Sequence, residues 1–415
     1  MSRVPAAVTL SLLLVALAVA LAVVVPWTPL PGADLRVDPA LDFTAAERAR
    51  EVAFHDAVRP ASYLSLGLGL AVAVALALTS TGARLVTAVA RPLGGGWVWQ
   101  VLLGTLALAA IGRLVTLPLG ARVESVRREY GLSTRDWDTW AIDVGKSLLV
   151  GAALTALVLL VVVALARALP RTWWAWGAAA TAALAVVVSF AYPVLVEPVF
   201  NRFTPLPAGE LRDDLLALAE RGVPVDEVLV ADASRRTSSL NAYVSGFSGT
   251  RRIVVYDTLL EQATPSEVEL VVAHELGHAA DRDVVVGTLL GALGAAAAVC
   301  ALFLVVSWRP LLARSGATGA GDPRVVPLLM ALIAIGTLLV GPVSNLVSRR
   351  IEARADVHAL ELTRDPDTFI AAQQRLARAN LSDLDPNPVA VWLFATHPGT
   401  TERIALAREW ERLRG

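Results

Sequence analysis

The sequence predicts a mainly α, polytopic membrane protein with about seven transmembrane helices. It also predicts a water-exposed domain with a small β-hairpin or sheet, which a transmembrane hairpin splits in two. Three observations predict this architecture. Of 415 residues, 55% are hydrophobic and only 18% charged, with a mean hydropathy of +0.59, too little polar surface for a soluble chain of this length. Seven segments are apolar enough for the roughly 30 Å hydrocarbon core, which takes about 20 helical residues. Two polar regions, 201–283 and 348–415, flank the last pair of these segments, so both emerge on one face.

The segments run over 6–25, 63–83, 97–119, 147–166, 173–192, 284–308 and 325–347. Arg3 followed by a run rich in small residues leaves a signal peptide as the alternative for the first. Trp97, Trp99, Trp173, Trp174 and Trp308 fall at span ends, where amphipathic rings prefer to sit. "ARSGATGAGDPR" (313–324) reads as a short, mobile link. The chain therefore divides into an N-terminal bundle of five transmembrane helices (1–200), the first part of the polar domain (201–283), a transmembrane hairpin (284–347) and the second part (348–415). Loop arginines balance at eight on each side. Arg202, Arg212, Arg282, Arg349, Arg350 and Arg354, close to span ends, tip the polar domain toward the cytoplasmic face of the cell membrane.

A net charge of −1 gives no argument for a nucleic-acid partner, and Lys146 is the sole lysine. The lone Cys300 lies in an apolar run, excluding an internal disulfide and favouring a packing role.

Chemistry concentrates in "TPSEVELVVAHELGH" (264–278). Thr264 as N-cap, Pro265 at the first helical position and Glu267 completing a capping box open a helix. On it His274 and His278, four apart, share one face and can both reach one tetrahedral Zn²⁺. Glu275 can point past the metal toward water as general base. The plain alternative is an amphipathic helix with two solvated histidines. A catalytic zinc needs a third protein ligand and an open position. "SRRIEARADVHALEL" (348–362), just after the last span, offers Glu352 as ligand and, on the same face, Asp356 to accept a hydrogen bond from the far nitrogen of a ligating histidine. Alone it would read as a solvated helix with Glu352 paired to Arg349 or Arg350. Beside the first motif the ligand reading is the stronger. His358, on another face, is expected to be solvated.

"HELGH", "SRRIEARAD" and "FATHPGTTERI" (394–404), in that order around a membrane hairpin, resemble the type I CAAX prenyl protease family of membrane zinc peptidases. "EPVFNRFTPLPAGELRDDL" (197–215), "SSLNAYVSGFSGTRRIVVYDTLL" (238–260) and "NLSDLDPNPVAVW" (380–392) extend the resemblance. It implies a gluzincin-like HExxH zinc peptidase domain with one zinc at His274, His278 and Glu352. It also implies Glu275 as catalytic base, Asp356 as proton donor or ligand-orienting partner, and seven helices around an intramembrane chamber. His397 matches a histidine suited to steadying an oxyanion, and Arg403 an arginine of the same motif. At "AADRDV" (279–284) the chain departs from eukaryotic members and is closer to bacterial membrane zinc proteases of the heat-shock type.

"NAYVSG" (241–246) followed by "FSGT" and "RIVVYD" (252–257) reads as a β-hairpin. In related zinc peptidases an edge strand holding Asn-Ala pairs with the substrate backbone, which makes Asn241 and Ala242 candidates for substrate contact. An ordinary hairpin turning at Gly246 and Gly249 is the alternative. Both ligand helices are expected to continue spans six and seven, with the metal roughly 10 Å from the hydrocarbon edge. The expected function is a membrane-embedded zinc metalloendopeptidase acting on membrane-associated or lipidated, CAAX-like peptides. The rivals are a quality-control protease with no prenyl requirement and a non-catalytic seven-helix protein with a structural zinc.

Overall fold

A single chain segment in hydrocarbon can satisfy its backbone polar groups only as a helix. The computed structural model describes residues 3–225, 227–245 and 251–414. Among these it has seven helices long and apolar enough to span: Val4–Val24, Ala45–Ala77, Trp97–Glu129, Trp137–Ala168, Trp173–Leu195, Asp283–Val306 and Val326–Thr363. Gly246 and the FSGT segment (247–250) lie outside the described residues.

The helices agree with the expected spans in number and differ in extent. The second ends at Ala77 rather than 83, because the Thr79 hydroxyl turns back onto the Ala75 carbonyl (2.7 Å) and a separate helix, Ser80–Ala90, begins. A Cβ at Gly82 would collide with the Leu76 carbonyl, so the reversal needs glycine. Other helices overrun the membrane. The seventh is 38 residues long, about 57 Å, and carries Glu352 and Asp356 on its far end. The link over 313–324, expected to be mobile, is tied down. Asp322 accepts from the Thr318 and Arg324 backbone N–H groups at 2.9 and 3.0 Å, and Arg167 donates to the Gly321 carbonyl at 3.1 Å.

The bundle core holds Val86, Leu159, Phe303, Leu328 and the fully buried Cys300, which has the packing role expected. A second core draws on both polar regions, with Leu215, Ile253, Leu270, Leu276, Phe369 and Trp410 in one cluster. Over it lies a four-stranded sheet of β1 (Phe203–Pro205), β2 (Glu227–Ala231), β3 (Ala242–Ser245) and β4 (Arg252–Tyr256), in the order β1-β2-β4-β3. β2 and β4 pair in parallel, and β3 pairs antiparallel with β4 as an edge strand.

The motif helix, Pro265–Ala280, forms its capping box as expected: the Thr264 N–H donates to Glu267 at 2.7 Å and the Glu267 N–H to the Thr264 hydroxyl at 3.3 Å. It is not continuous with span six. Arg282, at φ 57°, breaks the chain between Ala280 and Asp283, a left-handed conformation that costs a non-glycine residue about 1–2 kcal/mol. Only the seventh span runs unbroken into the site. The motif helix meets it at Gly277, where a Cβ would lie 3.1 Å from His358 Cβ and 3.3 Å from Ala355 Cα. His358 is half-buried in that contact rather than solvated.

Gly277→Ala tests this approach. The change favours an isolated helix by roughly 1 kcal/mol, yet its methyl would press on the His358 side chain at 3.1 Å and on Ala355 Cα at 3.3 Å, so the two helices must give by a few tenths of an ångström. We expect metal to be lost at a lower chelator concentration than from the wild type, although no ligand is altered. Unchanged metal retention would show that the close contact does not hold the site.

Candidate metal centre and active site

The two helices that meet at Gly277 bring three side chains together. His274 Nε2 is 3.2 Å from Glu352 Oε2 and 3.2 Å from His278 Nε2, and His278 Nε2 is 3.6 Å from Glu352 Oε1. All three ligand atoms lie within 4.8 Å of one another. The i, i+4 spacing of the histidines stacks them on one face, and the long seventh helix delivers the carboxylate.

Behind each imidazole stands a carboxylate, and behind each carboxylate an arginine. His274 Nδ1 is 2.8 Å from Asp356 Oδ1. Asp356 is fully buried and accepts a two-pronged bond from Arg403, at 2.9 Å from Nε and 2.5 Å from Nη2. His278 Nδ1 donates to Asp283 at 2.9 Å. Arg354, on the seventh helix, pairs with Asp283 and, at 2.7 Å, with Asp281. Such partners fix the tautomer and the ring plane of a ligating histidine.

Asp283 and Arg354 are the members of this arrangement that the sequence did not reveal as partners. Asp283 lies beyond the break at Arg282, where helical spacing no longer predicts which side chains face each other. Its one signal was an acidic residue just past the motif.

Burial alone would lower the proton affinity of both imidazoles. For His274, hydrogen bonds to Asp356 and Glu352 outweigh burial and raise the pKa. For His278, Asp283 and Glu352 push it up to about 10. Negative potential thus converges where the ring nitrogens meet, as suits a cation. A metal there displaces protons, so its affinity rises with pH. Glu275 is half-buried; burial pushes its carboxyl up, against the lowering influence of the two histidines.

The Val244 backbone also lies close enough to Glu275 to lower its proton affinity slightly, which sets the site beside the sheet. Tyr256 donates to the Asn241 carbonyl at 3.0 Å, so the main chain of 241, 243 and 245 faces β4. The alternation of an antiparallel ladder then turns the peptide groups of Ala242 and Val244 to the free edge. Asn241, exposed at the head of β3, gives its carbonyl to the sheet and leaves its side chain over the cleft.

His397 sits at the mouth, 62% exposed, with Nδ1 3.0 Å from Glu352 Oε2. It is not one of the converging ligands. A cavity of about 580 Å³ opens here, with Asn241, His274, Glu275, His397 and Arg403 among its walls and Tyr63 and Phe394 among its apolar lining. His55 and Asp383, also in its wall, form with Glu51 another group with metal-like spacing. There His55 Nε2 is engaged by the Leu381 carbonyl at 2.9 Å and Arg59 is paired with Asp383, which makes the group a clamp between the second helix and the 381–384 loop.

Comparison with known proteins agrees with this architecture. The sequence matches Peptidase family M48 over residues 205–411 and the CAAX prenyl protease N-terminal region, five membrane helices, over residues 60–202. It is 34% identical over 308 residues to an uncharacterized metalloprotease, YhfN, of Bacillus subtilis (strain 168), covering 73% of this chain and 72% of that one. It is 28% identical to CAAX prenyl protease 1 of Saccharomyces cerevisiae, over 72% of this chain and 69% of the relative. The crystal structure of S. mikatae Ste24p shares the fold with a TM-score of 0.76 at 21% identity, over 97% of this chain and 98% of that one. The chain belongs to peptidase family M48, as a multi-pass membrane zinc metalloprotease of the CAAX prenyl protease type.

Proposed function

We propose that one zinc per chain is held by His274, His278 and Glu352. The enzyme would then be an endopeptidase for extended peptides from membrane-associated or lipidated, CAAX-like substrates, with its site at the cytoplasmic face of the cell membrane. The observation that carries this is the convergence of two imidazoles and one carboxylate within 4.8 Å, beside a cavity and a free strand edge. Among the described residues no fourth His, Cys, Asp or Glu joins that group. Three protein ligands and an open position are the mark of a catalytic zinc, whereas a structural zinc is closed by four. The arginines next to span ends on the polar-domain side support the cytoplasmic orientation.

The donor set fits the metal: both histidines have their second nitrogen engaged by an aspartate, leaving the facing nitrogens as ligands. Zinc in such a site supplies Lewis acidity, acidifying water and polarising a carbonyl at neutral pH. The chain's own groups do the rest. A substrate strand pairs with the outward peptide groups of Ala242 and Val244, and the Asn241 side chain adds a contact. Glu275 accepts the proton of the attacking water, its raised proton affinity suiting it both to take that proton and to pass it to the leaving amine. His397, exposed at the mouth, turns from Glu352 to donate to the oxyanion. Asp356 with Arg403, and Asp283 with Arg354, hold the imidazoles in plane. Arg403 therefore acts through His274.

These roles separate in mutants. Glu275→Gln keeps all three ligands and is expected to retain zinc while losing nearly all peptidase activity, whereas Glu352→Ala loses both. Asp283→Ala and Asp356→Ala should each weaken zinc binding or turnover by about 10–100-fold. Zinc content and peptide cleavage measured on the same preparations check the set; a fully active Glu275→Gln enzyme, or a Glu352→Ala protein with undiminished zinc affinity, would contradict it.

His397→Ala is expected to leave zinc content intact and to lower kcat by about 10²–10³ with little change in KM, as for the loss of one oxyanion donor. Steady-state kinetics beside metal analysis checks this. Loss of zinc would make His397 a ligand, and an unchanged kcat would remove it from the mechanism.

A further inference from the structure

A second cavity, also about 580 Å³, lies where the ends of the third and fourth spans meet the sheet. Arg127, Arg135 and Arg236 line it, against one carboxylate, Asp143. Arg135 is already neutralised, 2.6 Å from Glu124 and 3.4 Å from Asp143. Arg236 reaches only neutral acceptors, the Phe200 carbonyl and the Asn201 side chain. Arg127 makes no side-chain hydrogen bond or ion pair among the described residues, and its Nε is shut off from water without a partner. Among the described residues, no acidic side chain pairs with Arg127 or Arg236 at this space. Cations gathered at one cavity favour an anionic partner.

The position of the cavity says what that partner is. It shares Leu240, Asn241 and Asn380 with the cavity of the metal site. Both cavities thus meet at the head of β3, just before Ala242. A peptide pairing antiparallel with the free edge of β3 runs toward Asn241 with its C-terminal side. The parallel orientation would bring the N-terminal side, and any free ammonium, toward two cations that repel it. Charge favours the antiparallel direction.

We propose that this cavity is a subsite for a carboxylate on the C-terminal side of the cut, with Arg127 as its principal partner and Arg236 beside it. The carboxylate is the free α-carboxylate of a substrate ending close to the cleavage site or an acidic side chain there. The inference rests on the peptidase reading above, with β3 as the substrate edge. Arginine suits the task because its planar fork meets a carboxylate with two parallel bonds.

The test uses the purified, zinc-loaded protein and three peptides with one cleavable sequence. One ends in a free carboxylate, one in an amide, and one in an aspartyl amide. Wild-type kcat/KM for the free acid or the aspartyl amide should exceed that for the plain amide by about 10–100-fold. Which of the two carries the preference identifies the source of the carboxylate. Arg127→Gln should abolish the preference while leaving zinc content and plain-amide cleavage unchanged, since Arg127 has no side-chain partner among the described residues to lose. Arg127→Lys should restore part of it. Equal cleavage of all three peptides by the wild type, or a preference that survives Arg127→Gln, would overturn the subsite while leaving the peptidase intact. Cleavage of none would overturn the peptidase reading and the subsite with it.

Discussion

The site depends on one contact, the approach of the motif helix to the far end of the seventh span at Gly277, Ala355 and His358. Two histidines on the first helix and one carboxylate on the second can share a cation only if the helices come this close. Because the seventh helix is unbroken from Val326 to Thr363, Glu352, the proposed third ligand, is positioned by a membrane-spanning element. The bundle and the metal site are parts of one construction.

Two ionic braces hold that contact. Arg354 reaches from the seventh helix to Asp281 and Asp283 beyond the motif, and Arg403 reaches from the C-terminal helix, Thr400–Arg414, to the buried Asp356. Asp283 and Asp356 in turn each orient one imidazole. Burying Asp356 without Arg403 would leave an uncompensated charge, a loss of about 3–5 kcal/mol. The braces are therefore conditions for the ligand geometry. Arg127, by contrast, pairs with no acid among the described residues, and it lines the cavity at the head of the strand edge that substrate would follow.

Much of this could be read from the sequence, for physical reasons. Hydropathy found all seven spans because apolar length is a property of the local chain. It missed their true extent, since the polar starts and ends of the second and seventh helices look like loops to a hydropathy window. His274, Glu275 and His278 were legible because helical spacing alone fixes their mutual placement, and the same spacing joined Glu352 to Asp356. Asp283 was not legible, because the left-handed turn at Arg282 reverses the chain in a way no periodicity encodes. The role of Gly277 is tertiary and appears only once the second helix is in place. His397 and Arg403 entered through the family resemblance, and geometry then set them apart: one at the mouth of the cleft, the other behind a ligand.

X-ray absorption at the zinc edge of the detergent-purified, zinc-loaded protein tests the central claim most directly. The account predicts one zinc per chain with two imidazoles, one carboxylate and one non-protein oxygen. Four protein ligands would mean a closed, structural metal. A single imidazole would place the metal elsewhere, as at Glu51, His55 and Asp383. Either result would contradict a catalytic centre built between the motif helix and the seventh span.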